Sequence, residues 1–98
     1  MRFTQIVEFK TRRIDNFNAS LDAWMIRTEG TRIPHHAILS RDRDADDRYL
    51  LTVEFASHDK GMENSNRPET SEFAAVLAEI SDGDLTFRTL DVIREEDL

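Results

Sequence analysis

The chain has 98 residues and a formal net charge of −7, which allows one domain over 1–98 and argues against a phosphate-backbone partner such as nucleic acid. It contains no cysteine, so disulfides, thiolate catalysis and zinc–sulfur sites are excluded, and a cytoplasmic location is the expectation. No run approaches the roughly 18 apolar residues of a membrane span, and Met1-Arg2-Phe3 begins a strand rather than a signal peptide.

Phe3–Lys10 alternates Phe3, Gln5, Val7 and Phe9 against Thr4, Ile6, Glu8 and Lys10. That is a strand with one largely apolar face, interrupted only by Gln5. After a short polar connection, Asp15 or Asn16 is placed to cap a helix whose buried stripe is Phe17, Leu21, Trp24 and Met25. Gly30 predicts the stop at about Glu29, because it accepts a positive φ. His35–Arg41 is a second strand, and RDRDADDR is a polar turn that makes a hairpin with Tyr49–Ala56. In this third strand Tyr49, Leu51, Val53 and Phe55 form an apolar face. Ser57 can cap the next helical region by accepting from the backbone N–H of Asp59 or Lys60. Arg67-Pro68 divides that region into two pieces, 58–65 and 68–80, because proline suits the first position of a renewed helix. In the second piece Phe73, Val76, Leu77 and Ile80 repeat at helical spacing. Ser81-Asp82-Gly83-Asp84 ends it, and Leu85–Arg94 is the last strand.

The order β-α-β-β-α-β predicts an α+β, ferredoxin-like fold, an antiparallel sheet of four strands with two helices on one face. The bare face would then carry Ile6, Ile38, Leu50, Leu90 and Val92 among Glu8, Thr52, Glu54 and Arg88. So many exposed aliphatic residues call for a cover, and the simplest is a second copy of the chain. Small domains gain from such pairing because they bury only about two-thirds of their unfolded surface.

Three stretches together resemble the antibiotic biosynthesis monooxygenase-like family: YLLTVEFAS with D-x-G-M-E-N-S, then NRPETSEFAAVL, then D-G-x-L-T-F-R-T-L-D-V-I. The resemblance covers nearly the whole chain and points to small bacterial members. It implies a dimeric α/β barrel, closed by the sheets of two chains. It also implies a homodimer that handles small molecules, with cofactor-independent oxygenation of a planar aromatic or quinol-like substrate as one activity and no cofactor required. In the haem-degrading branch of that family a histidine of the second helix ligates iron. The matching position here is Asn64, a poor iron ligand, and His58 lies about a turn and a half earlier, which argues against haem.

The residues themselves offer few chemical groups. His35 and His36 are neighbours on a strand, so they point to opposite faces and cannot share a metal. Asp42, Asp44 and Asp46 are spaced like a calcium loop, but Asp47 stands where that loop turns on glycine and Val53 where it needs a glutamate. The tip therefore reads as solvated and no metal site is expected. Trp24 is either core or the wall of a pocket for a planar ligand. In the cluster Asn64-Ser65-Asn66-Arg67-Pro68-Glu69, helix re-initiation accounts for Pro68 and Glu69 but not for Asn64 and Arg67. These two would stand at a pocket mouth and orient a ligand oxygen. Gln5, a lone amide in an apolar layer, needs a partner that a ligand could supply. His58 and His36 are the candidates for a proton acceptor if a reaction takes place.

Overall fold

The computed structural model describes residues Met1–Leu98. Its elements are β1 (Phe3–Lys10), α1 (Ile14–Arg27), β2 (His36–Arg41), β3 (Arg48–Phe55), α2 (His58–Ser65), α3 (Pro68–Ile80) and β4 (Thr86–Asp91). The strands form one antiparallel sheet in the order β2-β3-β1-β4. This is the ferredoxin-like α+β plan, with the second helical region in two pieces, so three helices cover the sheet instead of two. No helix is long and apolar enough to cross a membrane.

The alternation of the sequence sets which side chains meet the helices. Phe3, Val7 and Phe9 of β1 and Tyr49, Leu51 and Phe55 of β3 are buried. Val7, Phe9, Tyr49 and Leu51 form one core cluster with Phe17 of α1 and Leu77 and Ile80 of α3. At this end aromatic rings fill the layer. Phe9 stacks on Phe17 at 5.4 Å and on Tyr49 at 5.8 Å, and Phe17 meets Phe73 edge-on at 5.5 Å. Thr11, buried at the β1–α1 corner, donates its hydroxyl to the Ile80 carbonyl at 2.7 Å and so ties the corner to the end of α3.

α2 lies directly on β1. A Cβ at Gly61 would fall 2.8 Å from the ring of Phe3, so only glycine permits this approach. Ser57 caps α2 by accepting from Lys60 N at 3.2 Å. α3 begins at Pro68 with no side-chain cap.

Several local expectations are corrected. α1 starts at Ile14 behind Arg13, and neither Asp15 nor Asn16 caps it; instead Thr11 Oγ1 accepts from Arg13 N at 2.9 Å. α1 ends at Arg27, two residues before the expected stop, with Gly30 at φ +80° in the loop that follows. Met25 is 43% exposed, because the buried stripe follows Phe17, Leu21 and Trp24 and Met25 lies about 100° further round the helix. β2 begins at His36, though His35 N still donates to the Glu54 carbonyl at 3.1 Å. β4 stops at Asp91 rather than Arg94. Asp91 is opposite Phe3, the first residue of β1, and only one further bond, from Val92 N to the Arg2 carbonyl at 2.9 Å, extends the pairing beyond it.

Candidate functional site: a half-hollow helix–sheet layer

The register of the sheet explains where the layer is empty. One row across it reads Ala37, Val53, Gln5, Thr89, a line of short or polar side chains. The row that ends in Tyr49 and Phe9 is aromatic. On the helix side, Ala74 of α3 adds a second short side chain facing the same space. A cavity of about 270 Å³ results, half-open to solvent.

Its floor is Gln5, Val7, Ala37, Leu51, Val53, Phe55 and Phe87 from the four strands. Its roof is Leu21 and Trp24 of α1 with Phe73, Ala74 and Leu77 of α3. Pro34 and the α2–α3 corner, with Asn64, Ser65, Thr70 and Ser71, complete the rim. Phe73 closes off the filled end, since its other contact is the ring of Phe17.

The polar groups of the lining divide by what they already bind. Ser65 donates its hydroxyl to the Gly61 carbonyl at 3.0 Å, and Ser71 donates to the Arg67 carbonyl at 3.4 Å. Asn64 is only 9% exposed, and its Oδ1 accepts from Thr70 Oγ1 at 3.4 Å. That contact leaves the Nδ2 hydrogens of Asn64 without a protein acceptor. Gln5 makes no side-chain hydrogen bond within the chain. No polar side-chain atom is both sealed off and unpartnered, so these two amides open onto the cavity. The lining holds no carboxylate, imidazole, amine, guanidinium or phenol. The arrangement can therefore grip a flat apolar body and hydrogen-bond its oxygens. It has no side chain suited to taking a proton or to ligating iron as histidine would.

Of the residues singled out in the sequence, Gln5, Trp24 and Asn64 come together on this cavity. Arg67 does not line it, which corrects its expected place at the mouth. Its guanidinium donates to the Thr31 carbonyl at 2.6 Å, strapping the α2–α3 corner to the loop after α1. His36 and His58 also lie outside. His36 is on the outer sheet face opposite Glu54. His58 begins α2 with its ring edge-on to Phe3 at 5.1 Å, its side chain 59% exposed. The aspartates of the β2–β3 turn form no metal-holding group. Instead Asp42 accepts from Asp44 N at 2.8 Å and faces Arg48 at 3.8 Å.

Thr70 is a lining residue that sequence reasoning passed over. Its signal was available: 70, 73, 74 and 77 follow the i, i+3, i+4, i+7 spacing, so Thr70 extends the apolar stripe of α3 into the cavity.

The structure superposes on SnoaB, a cofactor-independent oxygenase from Streptomyces nogalater, with a TM-score of 0.79 at 16% identity over 96% of this chain and 95% of that one. That form of SnoaB carries an asparagine-to-alanine mutation. Rv0793 from Mycobacterium tuberculosis matches with a TM-score of 0.76 at 19% identity, over 99% of this chain and 100% of the other. A proposed antibiotic biosynthesis monooxygenase from Caulobacter crescentus matches with 0.79 at 12% identity, over 95% and 91%. The chain has the fold of the antibiotic biosynthesis monooxygenase-like proteins. No protein-family model matches the sequence, and a search of curated proteins returns no match. At these identities the likeness shows the fold alone.

Proposed function

We propose that this protein is a homodimeric small-molecule-handling protein that admits a planar aromatic or quinol-like compound beneath Trp24 and acts on it as a cofactor-independent monooxygenase. The carrying observation is the cavity itself, apolar, about 270 Å³ in volume, with the amide of Gln5 and the Nδ2 hydrogens of Asn64 unpartnered on its wall. Pockets for drug-sized ligands run to about 300–1,000 Å³, so the occupant is small. The oxygenase activity of SnoaB, a protein of the same fold, supports the reaction. An electron-rich quinol would itself supply the electrons to oxygen, and the protein would contribute orientation and desolvation.

A second reading, a binding protein without catalysis, is favoured by one feature: no side chain of the lining is a proton acceptor. One titration and one rate separate them. The single tryptophan should be quenched saturably by 1,4-naphthoquinone. Oxygen uptake with naphthoquinols, above the uncatalysed rate, would establish the enzyme. Quenching without uptake would establish the binder, and absence of both would end the proposal.

The dimer rests on the outer sheet face. Ile38 and Leu90 are each 45% exposed there, beside Ile6 and Leu50, on the side opposite the helices. Arg88, Glu8 and Glu54 share that face and form no ion pair within the chain. A second copy laid on it would cover the aliphatic side chains and bring Arg88 against carboxylates. Sedimentation at micromolar concentration should give twice the chain mass of 11.4 kDa. Ile38→Glu should weaken association at least about tenfold, by leaving a charge without a partner in the interface. A wild-type monomer would refute the pairing.

A further inference from the structure

We infer that the cavity selects its ligand in the uncharged form, a neutral carbonyl-bearing aromatic, and rejects the corresponding phenolate or carboxylate. The inference rests on the reading of the cavity as a small-molecule site and narrows the chemistry of what enters it.

The ground is the way charge is distributed around the site. Every polar side-chain group in the lining is an amide, a hydroxyl or the indole N–H of Trp24, and none carries a charge. No cation is among the lining residues, and three arginines of the surrounding elements are engaged elsewhere, only Arg27 among them by a carboxylate. Arg67 donates to the Thr31 carbonyl at 2.6 Å. Arg32 donates to the Met25 carbonyl at 2.7 Å and lies 5.4 Å from the Trp24 ring, outside the cavity lining. Arg27 is paired with Glu72. The chain as a whole carries −7, so its field opposes an incoming anion. An anion in the cavity would give up its hydration and find no countercharge in the lining, and burial without a direct one favours the neutral form.

The polar groups that remain fit a neutral oxygen. Thr70 occupies Oδ1 of Asn64, so the free hydrogens on Nδ2 present a donor in a 91% buried position, read from its 9% exposure. Gln5 offers a donor and an acceptor on the floor. A carbonyl facing Asn64 and a hydroxyl or second carbonyl facing Gln5 would satisfy both amides without any net charge.

The test uses the full chain and two coumarins of nearly the same shape. 7-Hydroxycoumarin has a phenol that ionises close to neutral pH, and 7-methoxycoumarin cannot ionise. Dissociation constants are measured for each from pH 6 to pH 9 by quenching of Trp24. The expected result is a constant affinity for the methoxy compound. For the hydroxy compound, affinity should fall about tenfold per pH unit above its own pKa. A hydroxycoumarin affinity that stays level or rises as the phenolate forms would overturn the inference while leaving the cavity a binding site. A parallel loss for both compounds would place the effect in the protein and would also overturn it. If neither coumarin binds while 1,4-naphthoquinone does, 2-hydroxy-1,4-naphthoquinone, an anion at neutral pH, replaces them, and its binding as tightly as the parent quinone would overturn the inference. If none of the three binds, the small-molecule reading falls with it.

Discussion

The helix–sheet layer is filled with aromatic rings at one end and hollow further along, before a second aromatic pair, Phe3 and Phe55, closes it beneath α2, although the same strands run through all of it. At the filled end Phe9, Phe17 and Tyr49 stack within 5.4–5.8 Å, and Leu77 and Ile80 are buried against them. Two residues along each strand the row becomes Leu39, Leu51, Val7 and Phe87, and two further it is Ala37, Val53, Gln5 and Thr89, over which the cavity opens. The difference is one of side-chain volume and polarity and not of backbone. Solid aromatic packing on either side can hold the fold while the region between forgoes packing, which is what the proposed binding site requires.

That division predicts a large cost at the filled end. Phe17 is 1% exposed and contacts rings on both of its neighbours, Phe9 and Phe73. Phe17→Ala should lower the unfolding free energy by about 3–5 kcal/mol, the usual cost of emptying a buried aromatic site. Against a total stability of about 5–15 kcal/mol this removes at least about a fifth of the margin. Urea denaturation followed by far-ultraviolet circular dichroism measures it. A loss below about 1 kcal/mol would mean that the aromatic end does not carry the fold.

The same contrast shows what could be read from the sequence. Period-2 alternation placed β1 and β3 on the correct faces because each side chain's direction follows from its parity alone. Pro68 and Ser57 marked the two pieces of the second helical region because their effects are local. The lone amide Gln5 stood out for the same reason. What stayed hidden depends on tertiary placement. Nothing local says that the guanidinium of Arg67 finds the carbonyl of Thr31, 36 residues away, since every residue has a carbonyl. Met25 could be assigned to the stripe of α1 because periodicity alone does not tell how wide a stripe the neighbours will cover. The cavity was legible only as a suspicion about Trp24 and Gln5. Its size depends on Ala37 and Ala74 lying on opposite sides of one space, which requires the register of β2 and the docking of α3.

The smallest effect on stability, and the most informative, is expected from Gln5→Leu in the hollow region. Gln5 has no hydrogen-bond partner in the chain, so its replacement leaves no protein group unsatisfied. An apolar side chain of similar length would cover the apolar walls of Val7 and Val53. Stability should therefore change by less than about 1 kcal/mol, with a rise as readily as a fall, because removing an unpartnered polar group from an apolar layer is close to neutral or favourable. Binding should respond differently. The floor would lose its one amide, and quenching of Trp24 by 7-hydroxycoumarin at pH 6 should weaken at least about tenfold, or about 1.4 kcal/mol. The two measurements on one variant separate a residue kept for the ligand from one kept for the fold. A destabilisation of several kcal/mol with binding intact would show that Gln5 is held by the layer itself, and the hollow region would then be part of the core rather than a site.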